Sequence, residues 1–484
     1  MSSAQKASAR EGALDVLLRI EDGAYANIAL DDYLEGLGRG LSPADRGLLT
    51  ELVVGTVKHR LTLDWIIDRR VNNPGRLQTG PRLLLCLGLY QLRFLDRIPA
   101  RAAVYETVEL ARRRHHAGVA ALVNAALRSW QREGDARIWP DERKDPAGYL
   151  SALLSHPLWI VERWLARYGY EKTRALCEFN NTPPPLWLRT NTLKTTPPAL
   201  ADRLEKEGCR TCRGRYAPEA LRLMESPGVR RLEAWGEGLF TVQDESSMLA
   251  AYGLAPLPGH RVLDVCAAPG GKTTHLAQLM EDRGSIAAWD LHPHRVELLR
   301  ENQRRLGIRC IEAYVRDAAQ MRAAPTDPAD KARDLFDRVL VDAPCSGLGT
   351  LRRRADARWN RKPEDIVVLA QLQERILRNA LARLTPGGKL LYSTCTTEPE
   401  ENSLLVEAVL AACPEYKKAR LSLRAAAEGA QSLLSGPADS AEPTDPAAPT
   451  DVSAQRDSVG DGDVQFLPFL HGLEGFYMAL IEHR

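Results

Sequence analysis

The sequence predicts a multidomain chain: an all-α N-terminal domain, a small α/β linker domain and a doubly wound, Rossmann-like α/β domain. Three observations predict it. Residues 1–140 carry apolar side chains at helical spacing and no strand-like alternation. Residues 155–240 mix a helical stretch with short alternating runs. From 241 to 484, short apolar runs alternate with amphipathic helices, the pattern of buried parallel strands joined by crossovers. A length of 484 residues accommodates such a division at roughly 100–200 residues per domain.

In the first domain, Ala13, Val16, Leu17 and Ile20 recur on one helical face. Ser42-Pro43 reads as an N-cap with proline in the first helical position, and Leu49, Leu52, Val53 and Val57 follow on one side. Another helix runs through Val119, Val123, Leu127 and Trp130. The basic cluster Arg112-Arg113-Arg114-His115-His116 just before it is either a solvated helix end or a phosphate-contacting patch.

The linker domain opens at Ser155-His156-Pro157-Leu158-Trp159. Pro183-Pro184-Pro185 breaks the chain, Leu186 to Asn191 alternates like a strand, Ala199 to Gly208 is helical, and Gly238 to Val242 is strand-like again. Cys209 and Cys212 form a CxxC with no second pair at zinc-ligand spacing, so no metal is expected.

In the third domain the expected strands are Val262–Val265, Ser285–Asp290, Arg338–Asp342 and Lys389–Ser393, with helices at His294–Leu306 and Ile366–Leu384. Residues 425–463 interrupt it. Rich in Ala, Pro, Ser, Asp and Thr, with eight acids against Arg456, they carry −7 and read as a disordered insert. The whole chain carries +2, so the remainder carries +9, a balance that suits either nucleic acid or a solvated basic surface.

A hydrophobic content of 44% and a charged content of 26% are those of ordinary globular protein. No apolar run reaches the roughly 18 residues of a membrane helix, and Met1 to Lys6 lacks a signal core. Nine scattered cysteines do not form a disulfide framework. A cytoplasmic, monomeric protein without membrane contact is expected.

Chemistry concentrates at strand ends. Asp264-Val265-Cys266-Ala267-Ala268-Pro269-Gly270-Gly271-Lys272-Thr273 stands where the first strand hands over to a helix, the place where open α/β sheets bind cofactors. G-x-G-x-x-G is absent, and a P-loop would need glycine where Cys266 stands. Asp290 closes the second strand, placed to accept from ribose hydroxyls, and Asp317 closes the third, placed to reach an adenine amino group. A Gly-rich loop, Asp and Asp at successive strand ends point to a nucleoside cofactor without pyrophosphate, S-adenosylmethionine.

Two further strand ends carry thiols, in Asp342-Ala343-Pro344-Cys345-Ser346-Gly347 and Ser393-Thr394-Cys395-Thr396. Such cysteines are ordinarily small core residues. Beside a methyl donor a thiol has a specific use: its addition to carbon 6 of a pyrimidine makes carbon 5 nucleophilic. Asp342 is a candidate to support charge at the base N3. From these residues alone, either cysteine could be the nucleophile.

These three segments, with Val242-Gln243-Asp244-Glu245-Ser246-Ser247 ahead of them, resemble the signature set of RNA cytosine-C5 methyltransferases. The helical first 140 residues are similar to the NusB-like RNA-binding domain of the bacterial RsmB (Sun/Fmu) family, and the linker is RRM-like. The resemblance covers nearly the whole chain. It implies methylation of 16S ribosomal RNA, with Cys395 as nucleophile and Cys345 promoting product release. It also implies cofactor contacts from Cys266, Ala267, Ala268, Pro269, Gly270, Gly271, Lys272, Asp290, Asp317 and Asp342. Two features depart from the family pattern: the acidic insert, and Glu474 in Gly472-Leu473-Glu474-Gly475-Phe476, where an Asp is usual.

An unpaired cytosine would have to be drawn into the site, because stacking hides the face that the thiol attacks. Arg352-Arg353-Arg354 is either a phosphate contact near the target or a solvated loop. The same chemistry on transfer RNA, and a non-catalytic RNA-binding assembly factor, are the competing readings.

Overall fold

A computed structural model describes residues 8–135, 138–226, 228–320, 334–423 and 462–484. By internal packing the chain forms two units, Met1–Thr182 with Leu351–Asn360, and Pro183–Thr350 with Arg361–Arg484.

The first unit is helical: α1 (Ala9–Glu21), α2 (Ala26–Glu35), α3 (Pro43–Lys58), α4 (Arg60–Arg70), α5 (Thr79–Phe94), α6 (Ala100–Arg114), α7 (Ala117–Glu133), α8 (Pro146–Leu154) and α9 (Leu158–Asn181). Ser42 caps α3 as the sequence suggests, its hydroxyl accepting from Asp45 N with Pro43 in the first turn. The expected apolar faces meet in one core, including Leu17, Leu49, Val53, Leu84, Leu127 and Trp130. α9 bends at Gly169, whose φ of 75° breaks the helical run. The boundary expected at 155 falls between α8 and α9.

The basic cluster at the end of α6 is partly neutralised: Arg112 pairs with Glu109, and Arg114 with Asp15 and Glu11. Residues Leu351–Asn360 belong to this unit by packing. Arg352 lies over the Phe179 ring, 4.4 Å from its centroid, and Arg354 is exposed. Arg358 is fully buried and donates to Ser155 O (2.8 Å), Asn181 Oδ1 (3.1 Å), Leu351 O (3.3 Å), Lys58 O and Asn180 O.

The second unit begins with a βαββαβ piece: β1 (Leu186–Thr190), α10 (Pro197–Lys206), β2 (Arg210–Arg213), β3 (Ala220–Glu225), α11 (Glu233–Gly236) and β4 (Phe240–Val242). Its antiparallel sheet has the order β2-β3-β1-β4, a ferredoxin-like arrangement. Cys209 is buried and Cys212 exposed, and no cluster of His, Cys, Asp or Glu suited to a metal occurs among the described residues.

Next come α12 (Glu245–Leu254), β5 (Arg261–Asp264), α13 (Gly271–Leu279), β6 (Ser285–Asp290), α14 (Pro293–Leu306), β7 (Ile311–Val315), β8 (Phe336–Asp342) and β9 (Leu384–Thr394). β9, β8, β5, β6 and β7 lie side by side in that order, all parallel. The far edge is antiparallel: β12 (Phe476–His483) pairs with β9 and carries β10 (Tyr416–Lys418) and β11 (Asp463–Phe466) on its other side. The sheet is therefore mixed.

Alternate residues along each strand feed opposite cores. Val262, Leu340 and Leu391 pack on one face with Leu249 and Leu276. Leu263, Val339, Val341 and Leu390 pack on the other with Ile376, Leu377 and Val406. The acidic insert expected at 425–463 lies outside the described residues apart from its end. Asp463 corrects that end: it opens β11, is buried, and binds Lys418 Nζ (2.9 Å) and the Tyr477 hydroxyl (2.7 Å). No helix among the described residues is long and apolar enough to cross a membrane.

Candidate active site

Strand order reverses at β5, which has β6 on one side and β8 on the other, so the crevice opens at the carboxyl ends of these strands. The loop Val265–Gly270 leaves β5 there. Buried Asp264 anchors it, accepting from Thr273 Oγ1 at 2.7 Å, and burial pushes its carboxyl up to about 7. Gly270 sits at φ +99°, a conformation that glycine adopts without strain, and caps α13 without any side-chain hydrogen bond. The first-turn N–H groups of α13 thus have no capping side chain ahead of them, which suits a bound ligand.

Asp290 is buried beside the loop. Its carboxylate accepts from Ala268 N (3.3 Å) and His292 N (3.1 Å), and Arg295 pairs with it at 3.3 Å. Arg295 also donates to Ala268 O (2.6 Å), and Asn302 donates to Pro269 O (3.0 Å). Ala267 N bonds Trp289 O at 2.8 Å, so the loop and the end of β6 are held as one piece. Asp317 is half-buried just past β7, and its carboxylate accepts from Ala319 N at 2.9 Å within its own turn.

The opposite wall comes from β8 and β9. Asp342 pairs in register with Ser393, whose hydroxyl donates to Asp342 Oδ1 at 3.0 Å. The other carboxylate oxygen takes Lys272 Nζ at 2.7 Å, and that ammonium lies 5.2 Å from the Phe476 ring centroid. Lys272 thereby joins the first turn of α13 to the end of β8.

Cys345 Sγ and Cys395 Sγ are 3.3 Å apart, and both residues are half-buried. The hydrogen bond to Cys395, burial and the neighbouring charges of Cys395 and Glu401 push the Cys345 thiol well up. These effects favour the protonated form of the Cys345 thiol, and either sulfur can donate in the contact between the two. Cys266, the third thiol nearby, is also pushed up, first by burial and then by Asp264, Asp342 and Asp290. Carboxylates on three sides make it a poor thiolate.

The structure thus brings Cys345 into contact with Cys395, Asp342 at the end of β8 into contact with Lys272, and Asp290 into contact with the Cys266–Gly271 loop. Sequence reasoning missed several supports. Arg189 on β1, fully buried and lowered to about 9 by burial, donates to Thr274 Oγ1 (2.8 Å), Gly271 O and Gln243, and braces α13 from beneath. Its signal was the Arg189-Thr190-Asn191 run at a strand end, read only as a strand. Arg361 steadies the Cys345 turn through Ser346 O (3.0 Å) and Cys345 O (3.4 Å). Glu401 and Asn402 clamp both cysteine turns.

A family model described as 16S rRNA methyltransferase RsmB/F matches residues 251–482. A NusB family model matches 7–132, and a model of an RsmF/B-like ferredoxin-like domain matches 156–230. A probable ribosomal RNA small subunit methyltransferase B of Bacillus subtilis (strain 168) is 37% identical, covering 99% of this chain and 100% of its own. A protein of the same description from Synechocystis sp. is 37% identical over 98% of each chain. Ribosomal RNA small subunit methyltransferase B of Escherichia coli O1:K1 / APEC is 36% identical over 81% of this chain and 88% of its own. Among solved structures, PH0851 aligns over 99% of both chains with a TM-score of 0.75 and 26% identity. A methyltransferase homologue from Pyrococcus horikoshii aligns over 69% of this chain and 97% of its own, with a TM-score of 0.54 and 30% identity.

Proposed function

Because the chain belongs to the RsmB/F family of 16S rRNA methyltransferases, we propose that it methylates carbon 5 of a cytosine in 16S ribosomal RNA through a covalent Cys395 adduct. S-adenosylmethionine is the proposed cofactor, and the residues fit it. The uncapped α13 N-terminus, the buried Asp290 carboxylate and the half-exposed Asp317 line one crevice edge in the order that a methionine tail, a ribose and an adenine require. When bound, it supplies an electrophilic methyl group on a sulfonium.

The observation that carries the carbon-5 reading is the thiol pair. Methylation of oxygen or nitrogen needs no covalent help, whereas carbon 5 of cytosine becomes nucleophilic only after addition at carbon 6. Cys395 releases its proton to solvent water and its thiolate sulfur forms a bond to carbon 6, pushing the electrons of the 5,6 double bond toward carbon 5. Asp342, held between Lys272 and Ser393, would face the N3 edge of the base and share with it a proton taken from solvent, so that N3 becomes N–H as the adduct forms. After carbon 5 takes the methyl group, a base removes its proton, the electrons re-form the 5,6 double bond and the Cys395–carbon bond breaks. Cys345, still protonated and in contact with Cys395, returns a proton to the departing thiolate.

The helical domain 1–140 and the linker domain 155–240 supply RNA contacts in this reading, by shape and single-stranded loops. The test is methyl transfer to unmethylated 16S RNA and, separately, to transfer RNA, with the digested nucleosides identified by mass spectrometry. We expect 5-methylcytidine in the 16S RNA alone. Its appearance only in transfer RNA, or a methyl group on any other atom, overturns the proposal.

A further inference from the structure

Glu401 is fully buried and meets the cysteine turns through the residues that follow the thiols. One carboxylate oxygen accepts from Ser346 N (2.8 Å) and Gln373 Nε2 (3.0 Å), and the other from the Ser346 hydroxyl. Ser346 directly follows Cys345, and its hydroxyl also bonds Thr396 Oγ1 at 2.8 Å, directly after Cys395. Gln373 fixes the residue before Cys345 through Pro344 O (2.8 Å). The Tyr392 hydroxyl holds the Glu401 backbone at 2.7 Å. Asn402 completes the clamp on the other turn, accepting from Thr394 Oγ1 at 2.5 Å and donating to Thr396 O at 3.0 Å. A buried carboxylate is costly unless donors surround it; this one takes two of its donors from Ser346 in the Cys345 turn, and the Ser346 hydroxyl carries the link on to Thr396 in the Cys395 turn.

We propose that Glu401 is a positioning residue that sets the separation of Cys345 and Cys395, tying the turn after β8 to the turn after β9. Remove it, and Ser346 N and Oγ lose their shared acceptor while the Cys345 turn is free to drift from Cys395. Proton return from Cys345 depends on that contact, so the step most affected is release of the adduct. A glutamine can keep the geometry, because its oxygen accepts from Ser346 N and its amide donates to the Ser346 hydroxyl.

This inference rests on the thiol roles proposed above only where adduct is measured, so the test has an RNA-free arm. Full-length wild type, Glu401→Ala, Glu401→Gln and Ser346→Ala are treated with the thiol oxidant diamide, and the Cys345–Cys395 disulfide is followed by peptide mass mapping. We expect Glu401→Ala to cross-link about tenfold or more slowly, since displacement of a held pair by an ångström sharply lowers its effective concentration. Ser346→Ala falls between, and Glu401→Gln restores the wild-type rate to within about threefold. With 16S RNA, Glu401→Ala lowers kcat, leaves KM for RNA unchanged and accumulates adduct. Wild-type cross-linking in both Glu401→Ala and Ser346→Ala overturns the proposal. So does a loss of cross-linking in Glu401→Gln equal to that in Glu401→Ala, which would make the residue merely structural. The expected order of cross-linking rates, with no adduct even in Cys345→Ala, supports the positioning role and overturns the thiol roles instead.

Discussion

Cys345 and Cys395 stand with their sulfur atoms 3.3 Å apart because Asp342 and Ser393 are register partners at the ends of neighbouring parallel strands. Each cysteine follows its partner by two or three residues, so the crossover from β8 to β9 delivers both thiols to one point. The register that places the thiols also seats Asp342 against Ser393, with Lys272 reaching it from the first turn of α13.

Lys272 is the bridge between the two halves of the crevice. Lys272→Met keeps the stem against Phe476 but removes the charge from Asp342. Loss of a preorganised charge contact of this kind costs about 100-fold or more in turnover. Single-turnover methylation with saturating cofactor checks this; circular dichroism should show an intact fold.

Gly349 has no room for a side chain. A Cβ there would stand 2.0 Å from Gly475 O and 2.9 Å from Cys395 O. Gly349 N also donates to Cys395 O (3.0 Å), and Gly475 N donates to Gly349 O (2.8 Å). Gly349→Ala is expected to lower stability by about 1–3 kcal/mol and to displace the Cys395 turn. The measurement is a urea melt with a turnover assay, in which kcat drops while cofactor affinity stays near that of wild type.

Arg358 is a charged core residue of the helical unit. Burial lowers it to about 10, and its partners are carbonyl and amide oxygens instead of a carboxylate. Arg358→Met fills similar volume but strands these acceptors, each a cost of about 1–3 kcal/mol when buried. The thermal transition of the variant should fall clearly below that of wild type, whereas Arg354→Met, at an exposed position, should leave it unchanged.

Glu245 gives a pH signature. Burial raises its carboxyl from 4.5 to about 7, although Tyr216 N (2.6 Å) and Ala217 N (3.1 Å) donate to it. Between these values the folded state binds more protons than the unfolded chain, so stability falls as pH rises through that window, by at most about 3 kcal/mol. Below pH 4.5 both states are protonated and the effect is absent. Glu245→Gln should flatten this slope in urea melts from pH 4.5 to 8; an unchanged slope would remove Glu245 as its source.

How much of this was legible follows from the kind of signal each element carries. The strand ends were readable because apolar runs stop at Asp264, Asp290 and Asp342, and glycine and proline punctuate the turns after the first and the last. The cap at Ser42 announces its helix in the same way. β2 escaped notice because Arg210–Arg213 is largely exposed and polar. The antiparallel edge of the sheet depends on β12 returning beside β9, a long-range pairing that no local pattern states. Glu401, Asn402 and Arg358 look like surface residues, and only tertiary contacts reveal that their partners are buried carbonyls, amides and hydroxyls.

The central claim is the covalent role of Cys395, and a denaturing gel tests it most directly. Unmethylated 16S RNA and S-adenosylmethionine are incubated with wild type, Cys345→Ala, Cys395→Ala and the double variant. The account expects a slow-migrating protein–RNA adduct that accumulates in Cys345→Ala and is absent wherever Cys395 is replaced. An adduct that persists without Cys395 and requires Cys345 would contradict it.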